Sequence, residues 1–245
     1  FELRERSIKH SESENSSMSQ EELIEKSQTS HVSETLPGDR SKLEEAPAEF
    51  WQAIRTVIGL QHQAPPLQPV SRNGNLPLSF PQERLWFLDQ LQPGSSSYNI
   101  PYAFHVTGSL NVPALERSIN EIVRRHEALR TSFPAVDGQP AQVISLDQTL
   151  TLPVVDLQDL PEAKRKAEAQ WLATEEATRP FDLVQGPLMR AGLQRLAQEE
   201  HILLVTVHHI AFDGWSTSVL MRELEALYEA FCLGLPSPLP ELPIQ

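Results

Sequence analysis

"HILLVTVHHIAFDGWSTSVLMRELEALYEAF", residues 201–231, passes from strand texture to helix texture through one short loop. Ile202–Val207 is almost wholly apolar, as a central strand buried on both faces must be. From Trp215 onward the period changes. Val219, Leu220, Leu224, Leu227 and Phe231 recur at helical steps and predict one buried stripe, closed by Gly234. Between the two lies "HHIAFDG", residues 208–214. Side chains alternate along a strand, so His208 and His209 face opposite ways. One is predicted to be buried and structural, the other to look into a cleft. Asp213 is expected to hold the loop through a cation or through backbone N–H groups. Gly214 allows a positive φ or a close backbone approach. Ser216 is the predicted N-cap, and the free N–H groups of that helix end suit developing negative charge.

Working outward, "PLMRAGLQRLAQEEHILLVTVHHI" reads as strand, turn, strand, with Ile202, Leu204 and Val207 in the core. "PEAKRKAEAQWLATEEAT" is a helix with Pro161 at its first turn, and "LPVVDLQ" a short strand. "RTSFPAVDGQPAQVIS" predicts two strands around an Asp-Gly turn at 137–138. "NVPALERSINEIVRRHEAL" is a strongly periodic helix that buries Leu115, Ile119 and Ile122. "YNIPYAFHVTG" alternates as a strand does, and "FPQERLWFLDQLQP" predicts a helix with Trp86, Phe87 and Leu91 in the core. The order implies an α/β chain in the broad sense, an α+β two-layer sandwich with helices covering one mixed sheet.

The remainder of the chain has a different texture. Residues 1–45 are rich in Ser, Glu, Lys and Gln and predict a disordered linker, with one short helix possible at "SQEELIEKS". Residues 46–75 predict a short amphipathic helix and a proline-bearing connector. Residues 76–245 carry the apolar texture of a folded lobe. The 245 residues bear a formal net charge of −13, which argues against a sequence-independent nucleic-acid binder. No apolar run approaches the length of a membrane span and no signal peptide is evident, so a cytoplasmic setting is expected. The single cysteine, Cys232, precludes an internal disulfide and is predicted to be a small core filler.

On residue chemistry alone, His-His-x3-Asp is a poor metal site, lacking a third imidazole or thiolate at workable spacing. The nucleophile elbow of a serine hydrolase is absent, as are Gly-rich phosphate loops. Two readings remain: a buried histidine pair without chemistry, or a general base at the end of a strand.

"HHIAFDGWS" resembles the HHxxxDG motif of condensation domains from non-ribosomal peptide synthetases, which are related to chloramphenicol acetyltransferase. "LSFPQERLWFLDQL" (78–91) resembles the first core motif of that family, with Pro81 where Ala is usual. "RHEALRTSF" (125–133) resembles the second. The three stand in the family's order across roughly residues 76–245. The resemblance implies a chloramphenicol-acetyltransferase-like lobe that forms peptide bonds. It would join a carrier-bound donor acyl or peptidyl thioester to the amine of a carrier-bound acceptor. Trp215-Ser216 followed by "VLMREL" resembles the sub-type taking L-configured donor and acceptor.

By the same resemblance His209 is catalytic, taking or positioning the proton of the amine, while His208 is mainly structural. Asp213 stabilises the loop through an arginine, with Arg130 the candidate on motif order. Gly214 keeps the backbone close to the tunnel, Trp215 belongs to the motif, and Arg84 and His126 are structural. No metal and no bound cofactor are implied. Substrates ride on the phosphopantetheine of upstream and downstream peptidyl carrier proteins, and the other implied partners are a second lobe and an adjacent adenylation domain. Because the family domain has two lobes, this chain is expected to hold the first and to be inactive alone. A CoA-dependent acyltransferase of the same fold, or an incomplete lobe serving as a carrier-docking platform, are the alternatives. Residues 1–60 are either a linker or a docking element.

Overall fold

A computed structural model describes residues 2–6 and 76–245 of the chain. The expected helix and connector at 46–75, and all of the expected linker except 2–6, lie outside the described residues. Residues 2–6 depart from the linker expectation: Glu2–Arg6 form strand β1. It pairs antiparallel with β2 (Asn99–Thr107), Glu2 opposite Thr107 and Arg6 opposite Ala103.

Two small ribbons come next in the chain. β3 (Thr131–Ser132) pairs with β6 (Val143–Ile144), and β4 (Ala135–Val136) with β5 (Gln139–Pro140). Between β4 and β5, Asp137 and Gly138 both take positive φ, 52° and 76°. That is the turn geometry an Asp-Gly pair supplies, because its twist matches that of the strands. Further on, β8 (Met189–Ala197) and β9 (Glu200–His208) form an antiparallel hairpin, and β9 also pairs antiparallel with β2. β7 (Val154–Asp156) lies parallel to β8 at the far edge, which makes the sheet mixed as the sequence predicts. Among the described residues the main sheet thus has five strands, in the order β1-β2-β9-β8-β7.

Four described α-helices complete the lobe: α1 (Phe80–Leu91), α2 (Val112–Arg125), α3 (Glu162–Thr178) and α4 (Gly214–Cys232). α2 and α4 pack together on one face of the sheet. Leu115, Ile119 and Ile122 of α2 and Leu220, Leu224 and Leu227 of α4 meet Phe104, Leu203, Val205 and Val207 in one continuous core. Fully burying each such side chain contributes roughly 1.5–3 kcal/mol. α3 lies on the opposite face, where the Gln194 amide donates to the Ala169 carbonyl at 3.1 Å and Asn99 donates to the carbonyls of Ala177 and Arg179.

Helix ends follow local chemistry. Asn111 caps α2, its side chain accepting from the Ala114 N–H. At the end of α4 the Gly234 N–H donates to Phe231 and the Leu235 N–H to Ala230, with Gly234 at φ 71°. This paired arrangement satisfies the last carbonyls and needs a left-handed residue, so the expected closing role of Gly234 holds.

Some core expectations fail at helix surfaces. Phe87 and Leu91 are exposed, at 56% and 61%, and α1 buries no residue fully. Its inward side offers Leu85 and Trp86 to a small second core of Leu78, Phe133, Leu183, Leu188 and Ile210, while Phe87 and Leu91 stand on the outward side. Val219 and Ile202 are half-buried. Cys232 is exposed rather than a core filler, because the last turn of α4 turns it away from the stripe ending at Phe231.

Candidate active site

The loop that follows β9 is fixed at both ends. The His209 N–H donates to the Tyr98 carbonyl at 2.9 Å, and the Ala211 N–H to the His208 carbonyl at 3.0 Å. The two histidines face opposite ways, as strand alternation requires. His208 is buried, at 4% exposure, between the rings of Tyr98 and Phe181, both edge-on to it. Its Nδ1 accepts from the Ile210 N–H at 3.2 Å. Burial, with the His209 ring beside it, lowers its pKa to about 4. It is therefore a neutral structural group near neutral pH.

His209 is exposed and lines a cleft of about 790 Å³. Ser79, Gln82 and Arg84 of the α1 region form one wall of the cleft, with Tyr98 and Asp213 beside the loop. The His209 Nδ1 lies 2.8 Å from the Phe212 carbonyl oxygen. A carbonyl only accepts, so Nδ1 carries the proton and Nε2 is left as the basic nitrogen. An imidazole held in one tautomer by the backbone, with its other nitrogen in an open cleft, is equipped for proton transfer.

Asp213 takes the second of its two expected roles, accepting a backbone N–H, and not the arginine partner that the resemblance implies. It is the N-cap of α4, where Oδ1 accepts from the Ser216 N–H at 2.9 Å and the Ser216 hydroxyl at 2.7 Å. Those Ser216 hydrogen bonds hold its carboxyl below the usual carboxylate range. The helix therefore begins earlier than expected, and Ser216 is a donor to the cap rather than the cap itself. Arg130 is not brought to Asp213. Its guanidinium donates to the carbonyls of Ser145, at 2.6 Å, and Arg124, at 3.3 Å, and its carboxylate neighbour is Glu127. Asp213 belongs to the first turn of its own helix, whereas Arg130 closes the far side of the turn after α2.

Gly214 adopts no positive φ and opens α4, and a Cβ placed there meets nothing within 4 Å. Within the described residues, neither a left-handed backbone nor a close neighbour calls for glycine there. Trp215 stands 81% exposed beside it. Arg84 is exposed on the cleft wall rather than packed as a structural cation. His126 does have the structural role expected, with Nε2 at 2.9 Å from Glu223.

Sequence reasoning missed three groups. Gln82 closes a capping box: Oε1 accepts from the Ser79 N–H and hydroxyl, while Nε2 donates to the Ile210 carbonyl at 3.4 Å. The Ser-x-x-Gln spacing signalled the box, though not the reach to the loop. Phe212 acts through its carbonyl, which no side-chain pattern reveals. Glu223, on α4, pairs with buried Arg125 as well as His126. Burial acts to raise its carboxyl, but these hydrogen bonds outweigh burial and hold it low. Among the described residues, no group of three His, Cys, Asp or Glu side chains is placed to hold a metal ion. No described helix is long and apolar enough to cross a membrane.

With this geometry in view, a family model described as Condensation domain matches residues 72–244. A linear gramicidin synthase of Brevibacillus parabrevis is 47% identical over 211 residues, covering 84% of this chain and 3% of that protein. Chondramide synthase of Chondromyces crocatus is 46% identical over 192 residues, covering 78% of this chain and 5% of its own length. The chain thus spans a small part of the curated relatives it matches. Among solved structures, the starter condensation domain of rhizomide synthetase superposes with a TM-score of 0.63 at 25% identity, covering 70% of this chain and 41% of that one. The X-domain from teicoplanin biosynthesis superposes with a TM-score of 0.65 at 32% identity, covering 74% and 38%.

Proposed function

We infer, from the premise that this chain belongs to the condensation-domain family, that it is the first lobe of an amide-forming domain of a non-ribosomal peptide synthetase. The observation carrying the reading is the His209 ring, exposed in the cleft with Nδ1 committed to Phe212 and Nε2 left basic. The acceptor's amine nitrogen attacks the donor's thioester carbonyl. The N–C bond forms, the C–S bond breaks, and the proton shed by nitrogen passes through His209 Nε2 to the departing thiolate. Such proton transfer contributes about 10²–10⁴-fold, and alignment of two tethered reactants adds to it.

The substrates would be aminoacyl and peptidyl groups on the phosphopantetheine of upstream and downstream carrier proteins, L-configured on both sides, in a cytoplasmic assembly with an adjacent adenylation domain. Trp215 and the "VLMREL" that follows support the L-configured reading by resemblance. Phe80, Phe87 and Leu91 along α1, together with Trp215, leave apolar surface exposed. Surface of that kind supports a second lobe completing the tunnel. On this reading the lobe alone forms no amide.

The test is dipeptidyl transfer between two loaded carrier proteins by the complete domain that contains this lobe. His209→Ala should lower the rate at least about a hundredfold. A rate unchanged by that substitution, in a protein with unaltered melting behaviour, overturns the reading.

A further inference from the structure

The carbonyl that fixes the His209 ring belongs to the peptide plane between Phe212 and Asp213, so its aim depends on how those two residues are held. Asp213 is held by the α4 cap, at φ −137° and with Oδ1 engaged by Ser216. Phe212 is held by its ring. That ring is buried and meets the Tyr102 ring edge-on, with centroids 6.2 Å apart. To swing the Phe212 carbonyl away from His209, the chain must shift a capped helix end or a ring packed in the core.

Tyr102 is itself fixed at both ends. Its ring stacks on the buried Phe104 ring, 13° from parallel with centroids 5.7 Å apart. Its hydroxyl shares a hydrogen bond with Thr217 Oγ1 at 2.5 Å. Tyr102 stands on β2, and Thr217 in the first turn of α4, the turn that Asp213 caps. The contacts therefore close a circuit. It runs from Tyr102 to Thr217, along the helix turn to Asp213, through the Phe212 peptide, and back through the Phe212 ring to Tyr102. The sheet face that carries Tyr102 is otherwise the apolar face of Phe104 and Val106, where a hydroxyl needs a partner. A phenylalanine would fill the same space and leave the first turn of α4 unattached to β2.

Granted the amide-forming chemistry at His209, we propose that Tyr102 and Thr217 are positioning residues for it. Their hydrogen bond fixes the Phe212 ring relative to the α4 cap, the peptide between those two anchors aims its carbonyl at His209 Nδ1, and Nε2 stays the basic nitrogen. Neither side chain need touch a substrate. Their effect reaches the reaction through the tautomer and orientation of one imidazole.

The test reads both the ring and the reaction. In the 245-residue chain with nitrogen-labelled histidine, the His209 ring nitrogens are observed by NMR at pH 8. Tyr102→Phe and Thr217→Val each keep side-chain volume and remove one hydroxyl. Both are expected to move the Nδ1 and Nε2 shifts toward one another, as the two tautomers mix. Thr217→Ser keeps a hydroxyl and should retain the parental shifts. In the complete domain that contains this lobe, the two hydroxyl-removing variants should lower kcat for dipeptidyl transfer roughly three- to tenfold, with KM unchanged. The double variant should be no slower than the slower single one, because the same bond is lost in all three. A merely structural pair would lower the melting temperature and leave the ring shifts and kcat as they were, and that result overturns the proposal. So does a Thr217→Ser variant as impaired as Thr217→Val. If His209→Ala is slow while Tyr102→Phe is neither slow nor shifted, the positioning role alone falls. If His209→Ala leaves the rate unchanged, the amide-forming reading falls and takes the positioning role with it.

Discussion

His209 Nδ1 and the carbonyl oxygen of Phe212 stand 2.8 Å apart, so the backbone of the loop itself selects the tautomer of the ring. Nothing need be contributed by an acidic partner, and Asp213 is occupied elsewhere as a helix cap. Long-range proton–nitrogen correlation spectra at pH 8 should show Nδ1 protonated and Nε2 with the shift of an unprotonated ring nitrogen. The opposite tautomer would remove the basis for proton transfer at Nε2.

His208 supplies an acid-sensitive contribution to stability. Its pKa falls to about 4 in the fold from an ordinary value of 6.5. Between these values the unfolded chain binds the extra proton, so stability rises with pH. The contribution is fully present above about pH 6.5 and is lost as pH falls toward 4, amounting to about 3 kcal/mol. Urea unfolding at pH 7.5, 5.5 and 4.5 should show this decline, and His208→Asn should reduce it, leaving the share of His201, whose pKa burial also lowers. Asp213 and Glu223, whose carboxyls are held low, add their own loss only from the ordinary carboxylate range downward.

Glu223 compensates a guanidinium whose side chain is only 2% exposed. Glu223→Ala leaves the Arg125 charge buried without its carboxylate and should destabilise the lobe by about 3–5 kcal/mol. The pair Arg125→Met with Glu223→Leu should cost far less, since no buried charge remains. Denaturant midpoints for the single and double variants check this. A double variant as unstable as Glu223→Ala alone would count against it.

Asp213→Ala should cost about 1 kcal/mol, the usual worth of an N-cap, and Asp213→Ser should recover most of it. Arg130→Ala should leave the α4 cap intact, because Arg130 binds the carbonyls of Ser145 and Arg124 instead. Thermal melts of the three variants distinguish this from a buried Asp–Arg pair, whose loss would be several-fold larger.

The sheet was legible in the sequence wherever burial imposed a period. Ile202–Val207 read as a central strand, and β9 does lie between β2 and β8. The stripe through Leu220, Leu224 and Leu227 placed α4 on the core, and Asp137-Gly138 announced its hairpin. Opposite faces for His208 and His209 followed from strand alternation alone. Three things were hidden. Phe87 and Leu91 are apolar yet outward, because hydrophobicity reports what can be buried, not which side of a helix a lobe covers. Backbone N–H groups were one of the two partners expected for Asp213, but Arg130 was misplaced because motif order says nothing of distance, and the nearest hydrogen-bond donors belonged to the next turn of chain. The grip of Phe212 on His209 is a backbone contact, and backbone contacts leave no residue-type signature.

The placement of β9 also orders events during synthesis. Its partner β2 is made about one hundred residues earlier, with Asn99 waiting to pair with His208. Long-range strand pairing of this kind is slow to form. A ribosome that has passed α3 but not residue 200 holds a chain in which β2 and β8 have no strand between them, and Phe104 has no Leu203 to cover it. The residue that would carry the chemistry emerges only as the last piece of the sheet arrives. A nascent chain therefore gains that imidazole together with the central strand of the sheet, while its core stays open until Leu220, Leu224 and Leu227 of α4 follow.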